Sequence, residues 1–340
     1  MILKNLSYLL SPIYRKIMDF RNYLYDHEIL KVYRSKIPVV SVGNLTLGGT
    51  GKTPILIELL SWALRLGLRP AVISRGYNGT FKNFAKIPRD PDPEVYGDEP
   101  SMISKKFPNV PIYVGGDRVT LLNEVIKKET VNIVFADDAF QHRRMHRVID
   151  IVIIDCTEKI DNYRVVPTGR GREFQAGLKR ADFIILNKVN LASPSDKNNI
   201  INFIEEVCGD KEIPIIESEY YISQYISLDE QRQYQPTEYE KVLLVSGVGN
   251  PHSVSGLVNK SLSVGRHLAY DDHHKFTLED VNHILKIFKT ANFKKIIITE
   301  KDAIKLQKFK ELHEFVWVAH LTPKMSIRAK SLYERIASLV

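Results

Sequence analysis

The sequence predicts an α/β protein in which a larger domain, with helices on both faces of a mostly parallel sheet, is followed by a second, smaller α/β/α domain. Three observations carry this reading. Short β-branched runs with little alternation recur along the chain, as strands buried on both faces require. Helical stretches separate them. A polar region, SLDEQRQYQPTEYE (227–240), then precedes a fresh strand and a shorter stretch of the same texture. The length of 340 residues accommodates about two domains at roughly 150 residues each.

The first element is a helix over 13–25, IYRKIMDFRNYLY, where Ile13, Ile17, Phe20 and Leu24 stand four, three and four residues apart and Arg15, Lys16 and Arg21 fall elsewhere. Such a helix suits an anionic lipid interface, with basic groups at the headgroups and apolar ones in the boundary, and suits equally an ordinary packed helix. Strand, helix and strand follow at 37–43, 55–67 and 70–76, with further strands at 110–115, 131–138, 150–156 and 181–188. YISQYISL (221–228) offers a linker or second-domain strand. The smaller unit opens with the strand KVLLVSG (241–247) and continues through a Gly/Pro-rich turn to a helix from Leu278 to Lys289 and the strand KKIIITEKD (294–302). A terminal helix from Lys324 to Leu339 is free to pack on either domain.

Composition excludes several classes. Two cysteines, Cys156 and Cys208, allow one bridge at most, so no disulfide framework exists and a reduced, cytoplasmic setting is expected. No run approaches the roughly 18 apolar residues of a spanning helix, and the opening MILKNLSYLLSPIYRK has too short an apolar core for a signal peptide. The excess of 48 basic over 40 acidic residues, a net +8, fits nucleic acid, an anionic membrane or a phosphorylated substrate alike.

The strongest local signal is SVGNLTLGGTGKTP (41–54), a Gly-rich turn between strand and helix. Gly48, Gly49 and Gly51 bring backbone N–H groups around phosphate oxygens, with Thr46 and Thr50 in the same loop. Lys52 reaches the β/γ-phosphates and the Thr53 hydroxyl holds Mg²⁺. The strict pattern requires Gly where Thr46 stands, but GGTGKT is intact, and the larger domain is therefore P-loop NTPase-like. Asp137 and Asp138, directly after the run VNIVFA, supply metal-orienting carboxylates at a strand end.

Other clusters fall beside strand ends. Phosphoryl transfer to an alcohol needs a group to receive the hydroxyl proton and cations to balance phosphate charge, roles open to Asp98 in GDEP (97–100) and Arg118 in GGDRV (115–119). The string from His142 to Arg147 suits phosphate, nucleic acid or a solvated loop, and lacks a third ligand for zinc. NKVN (187–190) follows a strand as a guanine-reading segment would, but Asn190 replaces the required Asp. TEKD (299–302) has the wrong order for that segment, and a place near the nucleotide stays open. In YDDHHKF (270–276), closure of the second domain would let His273 hydrogen-bond to Asp98. A nucleotide-dependent membrane or nucleic-acid binding module, closing on ATP, is the alternative to an enzyme.

VGNLTLGGTGKTP (42–54), SRGY (74–77), GDEP (97–100), GGDR (115–118), DDAFQHR (137–143), DHH (272–274) and TEKDA (299–303) together resemble the tetraacyldisaccharide 4'-kinase family, the lipid A kinases of Gram-negative bacteria. The resemblance covers most of the chain and accounts for the variant loop at Thr46. It implies transfer of the ATP γ-phosphate to the 4'-hydroxyl of a tetraacyldisaccharide 1-phosphate. It further implies Asp98 paired with His273 as catalytic groups, Lys52, Thr53, Asp137 and Asp138 serving ATP and Mg²⁺, and Arg118, Gln141 and His142 beside the reacting groups. Asn44 and Arg75, inside the matching segments, and Glu173 in GREF are further candidates for substrate contact or support. The family pattern implies a P-loop kinase domain with its membrane-facing helix over 1–218 and a smaller domain including two linker strands over 219–323. The terminal helix over 324–340 completes it. A monomer that binds no nucleic acid is expected, held peripherally at the cytoplasmic face of the inner membrane through its N-terminal helix.

Overall fold

A computed structural model describes the backbone of residues 2–236 and 239–340, with side chains described from residue 12 onward except that of residue 13. The Ile13 side chain thus lies outside the described residues. Strands are β1 (Val39–Asn44), β2 (Pro70–Ser74), β3 (Phe84–Lys86), β4 (Ile112–Gly115), β5 (Ile133–Asp137), β6 (Ile149–Asp155), β7 (Phe183–Asn187), β8 (Ile215–Ser227), β9 (Gln233–Tyr234), β10 (Lys241–Ser246), β11 (Ser263–Ala269), β12 (Ile296–Thr299) and β13 (Val316–Met325). Helices are α1 (Ile2–Asp26), α2 (Lys52–Arg65), α3 (Pro93–Tyr96), α4 (Asp98–Lys106), α5 (Arg118–Lys128), α6 (Pro194–Cys208), α7 (Pro251–Val258), α8 (Leu278–Thr290), α9 (Glu300–Leu306) and α10 (Ala329–Ala337).

All strands join one continuous sheet in the order β11-β10-β12-β13-β8-β7-β6-β1-β5-β2-β4-β3, with β9 on β8. Pairing is parallel except at β3 with β4, β8 with β9, and β8 with β13. Strand residues alternate between faces, and both faces are covered. Val40 and Val42 of β1 join Ile55 and Leu59 of α2, while Val39 joins Leu121 and Leu122 of α5 on the other side. The smaller lobe repeats the scheme: Leu243 and Val245 pack with α8, and Val242 and Leu244 with α7. The architecture is the expected pair of α/β/α lobes, and the sheet runs unbroken through both.

The chain leaves β1 toward β2 on one side, and β6 lies on the other, so the C-terminal end of β1 is where the strand order reverses. Ligands of open α/β sheets bind in the crevice at such a point. Cys156 and Cys208 are both free and buried. Among the described residues no helix is long and apolar enough to cross a membrane.

Several boundaries differ from expectation. The helix after the Gly-rich loop starts at Lys52 rather than at residue 55, and the first helix begins at Ile2 and runs through Pro12. The strand expected over 294–302 stops at Thr299, because the Thr299 hydroxyl accepts the Asp302 N–H and caps α9. The helix expected from 324 begins at Ala329, since Lys324 and Met325 extend β13 and pair with Glu219 and Ser218. Once started, α10 returns to the first lobe. Tyr333 stacks on Trp62 of α2 with ring centroids 4.6 Å apart, and Leu332 and Ile336 are fully buried in the core beneath α2. Leu332→Ala should therefore cost about 2–5 kcal/mol in urea denaturation; a loss under about 0.5 kcal/mol would mean that the helix is not anchored there.

Candidate active site

The Gly-rich loop between β1 and α2 is held from beneath. Gly51 caps α2 in the left-handed region at φ 87°, and a Cβ there would lie 2.6 Å from the Tyr220 hydroxyl. That hydroxyl donates to the Gly51 carbonyl at 3.0 Å, and Asn187 Nδ2 donates to the Thr50 carbonyl at 2.9 Å. Asn44 Nδ2 donates to the Thr46 carbonyl and Thr50 Oγ1 at 2.8 and 3.0 Å. Lys188, paired with Asp155, reaches the Gly49 carbonyl at 3.4 Å. NKVN is thus no base reader: Asn187 and Lys188 brace the loop, and Asn190 clasps the Tyr220 backbone on both sides, at 2.7 and 2.9 Å. With its carbonyls occupied, the loop is left with N–H groups and the N-terminal end of α2 for an anion.

Asp137 ends β5 and is fully buried. Ser74 donates to its Oδ2 at 2.8 Å, but Oδ1 has no hydrogen-bond partner among the described residues. Burial, with Glu99 and Asp138 nearby, pushes its carboxyl well above the usual carboxylate range. Asp138 is the reverse case. Burial would raise it, but Lys52 at 3.6 Å and the Arg172 guanidinium, 2.7 and 2.6 Å from its two oxygens, bring it down to about 2. Its backbone is left-handed, φ 50°, and its carbonyl accepts from Arg118 Nη2 at 3.4 Å. Gln141 donates to the Asn44 carbonyl and to Glu173, both at 2.9 Å. Glu173 is buried, also held by Arg180 at 2.7 Å, and so works through Gln141.

Asp98 opens α4 behind Gly97, whose φ of 91° and close approach to the Tyr77 carbonyl leave no room for a side chain. Across the lobes, His273 Nδ1 lies 3.0 Å and Lys305 Nζ 3.5 Å from Asp98 Oδ2. Burial alone would raise this carboxyl. The His273 hydrogen bond and the charges of Lys305 and Lys301 outweigh it and hold the group below its ordinary value. His274 turns away, bonded to Asp280 at 3.0 Å and stacked on Tyr270.

Two cavities meet over the loop. One lies between the lobes, walled by the loop, Met102, Val248, Val254, Leu257 and Leu321. The other, about 770 Å³, has Arg75, Arg118, Arg170 and Arg172 on its walls, with Asp138, Gln141, His142 and His273. Gly49, Lys52 and Glu99 border both. Asp98 opens instead to an adjoining recess that it shares with His273 and Lys305, while Thr46 and Glu173 line neither cavity. Sequence reasoning missed Arg170, Arg172, Tyr220 and Lys305, and singled out Lys301 only within TEKD, which does border the cleft over the loop. The basic run GRGRE and the i,i+4 spacing of the two lysines on α9 were the available signals.

A glycine-rich loop from the switch-point strand into a helix, a lysine at its end and a carboxylate on the neighbouring strand define a P-loop nucleotide-binding protein. Residues 3–340 match the family profile described as Tetraacyldisaccharide-1-P 4'-kinase, and the chain belongs to that family. A tetraacyldisaccharide 4'-kinase of Bdellovibrio bacteriovorus is 34% identical over 334 residues, covering 97% of this chain and 98% of that one. That of Syntrophus aciditrophicus is 32% identical over 341 residues, covering 96% and 90%. The crystal structure of LpxK from Aquifex aeolicus in complex with ATP superposes with a TM-score of 0.75 at 25% identity, covering 99% of each chain.

His142 supplies a pH test. Burial, with Arg118, Arg147 and Arg21 outweighing Asp117, lowers it to about 4. The unfolded chain therefore takes up this proton first as pH falls, and stability is lost between about pH 6.5 and 4. Between pH 7 and 5 this amounts to about 1–2 kcal/mol, and His142→Gln should remove that much of the acid sensitivity in urea melts. Parallel pH dependences for variant and wild type would refute the assignment.

Proposed function

We propose that the protein transfers the γ-phosphate of ATP to the 4'-hydroxyl of a tetraacyldisaccharide 1-phosphate, forming the bis-phosphorylated lipid A precursor, lipid IVA. Besides family membership, one juxtaposition supports this: a cleft with apolar walls and an arginine-walled cavity meet at Lys52, beside the pairing of Asp98 with His273. The cleft suits the base and sugar of the nucleotide. Its phosphates lie along Gly48, Gly49, Thr50 and Gly51, with Lys52 on the β/γ oxygens. The hydroxyl proton passes to Asp98 Oδ1 as the acceptor oxygen bonds to the γ-phosphorus, and the bond to the bridging oxygen breaks to release ADP. Closure has to bring the hydroxyl to Asp98, since its recess adjoins rather than joins the acceptor cavity. Arg75, Arg118 and Arg172 balance the anionic acceptor and the charge spread over the transferring group. Gln141, fixed by Glu173, and His142, kept neutral, shape the wall beside it.

The residues also suit Mg²⁺. A buried carboxylate oxygen without a partner, Asp137 Oδ1, is a place for a cation, and Thr53 in the first turn of α2 is the second donor. Both Asp138 oxygens already face Arg172, so Asp138 serves there mainly by holding Lys52 and Arg172 in place. Bound Mg²⁺ would neutralise charge on the β- and γ-phosphates.

Peripheral attachment at the cytoplasmic face of the inner membrane rests on α1. Tyr14 donates to the Arg172 carbonyl at 3.0 Å and Arg21 to the Gln141 carbonyl at 3.1 Å, while Tyr14 and Met18 border the acceptor cavity. On the outer side Ile17 and Phe20 are 60% and 63% exposed, so their face is not packed on the core.

Two measurements test these readings. With radiolabelled ATP and the lipid acceptor, Asp98→Asn should lower kcat by about 10²–10⁴ with little change in the KM for ATP, whereas Lys52→Ala should impair both parameters. Turnover unaffected by both variants, or a wild-type protein that yields no phosphorylated lipid, would overturn the assignment. Ile17→Asp combined with Phe20→Asp should sharply reduce co-sedimentation with vesicles containing anionic phospholipid; full binding by a folded double variant would move the membrane surface elsewhere.

A further inference from the structure

His273 is held from both ring nitrogens by different charges. Nδ1 faces Asp98 Oδ2 at 3.0 Å, and Nε2 faces Lys301 Nζ at 3.2 Å. Lys301 is pinned in turn by Asp272 Oδ1 at 2.7 Å, and it also borders the nucleotide cleft. Asp272 Oδ2 lies 3.9 Å from Nε2, and the Tyr77 ring centroid stands 5.5 Å from that of the imidazole. Lys301 and Lys305 sit one turn apart on α9, and Lys305 lies 3.5 Å from Asp98 and 3.6 Å from Asp302. An ammonium only donates and a carboxylate only accepts. A ring placed between them accepts at Nε2 and donates at Nδ1, which is the neutral Nδ1–H form.

We infer that Lys301 is a positioning residue, which fixes His273 as the Nδ1–H tautomer so that the imidazole donates to Asp98 and takes no proton from it. The inference rests on the kinase reading for its catalytic consequence and on geometry alone for the tautomer. With Nδ1 already protonated, His273 has no lone pair toward Asp98. The hydroxyl proton stays on the carboxyl group during transfer, and His273 aligns the carboxylate rather than relaying its proton. Asp98 and Asp272 each face an ammonium, that of Lys305 and that of Lys301, with Lys305 shared by Asp302. Burial would lower the Lys301 ammonium, but Glu99 and Asp272 outweigh it and hold it above its ordinary value, so it remains a donor.

Nitrogen NMR of ¹⁵N-histidine-labelled enzyme near pH 7.5, with His273 assigned by His273→Gln, tests this without turnover. The expected result is a protonated Nδ1 and an unprotonated Nε2 in the wild type. In Lys301→Met the Nε2–H form should become populated and kcat should fall about ten- to hundredfold with the KM for ATP within about twofold. Lys301→Arg should restore both the tautomer and most of kcat. An Nε2–H or doubly protonated ring in the wild type overturns the inference, and that result does not depend on how Lys301→Met folds. So does a tautomer unchanged in Lys301→Met, or a loss confined to the KM for ATP, which would make Lys301 a nucleotide contact. The expected tautomer in a wild-type protein that makes no phosphorylated lipid would support the positioning role and overturn the kinase reading.

Discussion

The antiparallel pairing of β8 with β13 is the constraint on which the site depends. Separate lobes on a flexible tether would leave the glycine loop and His273 at no defined distance. Here β8 begins as a parallel neighbour of β7 and continues, from Ser218, as the partner of β13. Tyr220, in the middle of that transition, supports the Gly51 carbonyl from its hydroxyl. β13 lies beside β12, whose end at Thr299 starts α9 and hence Lys301 and Lys305. A ladder of paired strands, with one register shift between His320 and Leu321, therefore connects the floor of the phosphate loop to the lysines that face Asp98 and His273. Because adjacent strands rotate by roughly 20°, the same ladder turns the smaller lobe and sets a cleft between the two helical layers.

Charge within that cleft is arranged by the cost of burial. An ion removed from water is tolerable when it is paired, and most buried ions here are: Asp155 with Lys188, Glu173 with Arg180, Asp138 with Lys52 and Arg172. The exceptions lie where ligands carry charge. Asp137 keeps an oxygen with no hydrogen-bond partner among the described residues, and Arg118, buried on the wall of the acceptor cavity, donates to the Gly116 and Asp138 carbonyls. An anionic acceptor and a cation on Asp137 would each complete a balance that the protein alone leaves open. The net +8 of the chain is a weaker guide than these local deficits.

What the sequence revealed follows the range of the interactions. The phosphate loop and the buried strands are local patterns: β2, β4, β5 and β7 fall within the expected segments, and β1 and β6 differ from theirs by one or two residues at each end. Asp98 and His273, 175 residues apart, meet only through the shared sheet, and their pairing was legible as a consequence of closure and of family resemblance. β11 is an edge strand of exposed and half-buried residues with no clean period, and β13 mixes buried and half-buried positions because it joins two lobes, so neither pattern reads as a strand on its own. The segment NKVN, set aside as a base reader because of Asn190, hid its own role for a related reason. Asn187 and Lys188 look like base-reading groups when only the strand before them is considered, and their bonds to Thr50 and Gly49 appear once the loop is folded over them.

The first helix touches these parts with one side and turns an apolar side to solvent. Its inner side chains, Tyr14 and Arg21, donate to the backbones of Arg172 and Gln141, residues that respectively hold Asp138 and rest on Glu173. Its outer side exposes Ile17 and Phe20 one turn apart. An amphipathic helix serving only as an anchor would need no bonds to the catalytic loops, and one serving only as a wall would not leave two large apolar side chains in water. Under the proposed membrane attachment, α1 would make the depth at which the protein sits on the lipid surface and the position of the acceptor wall a single structural variable.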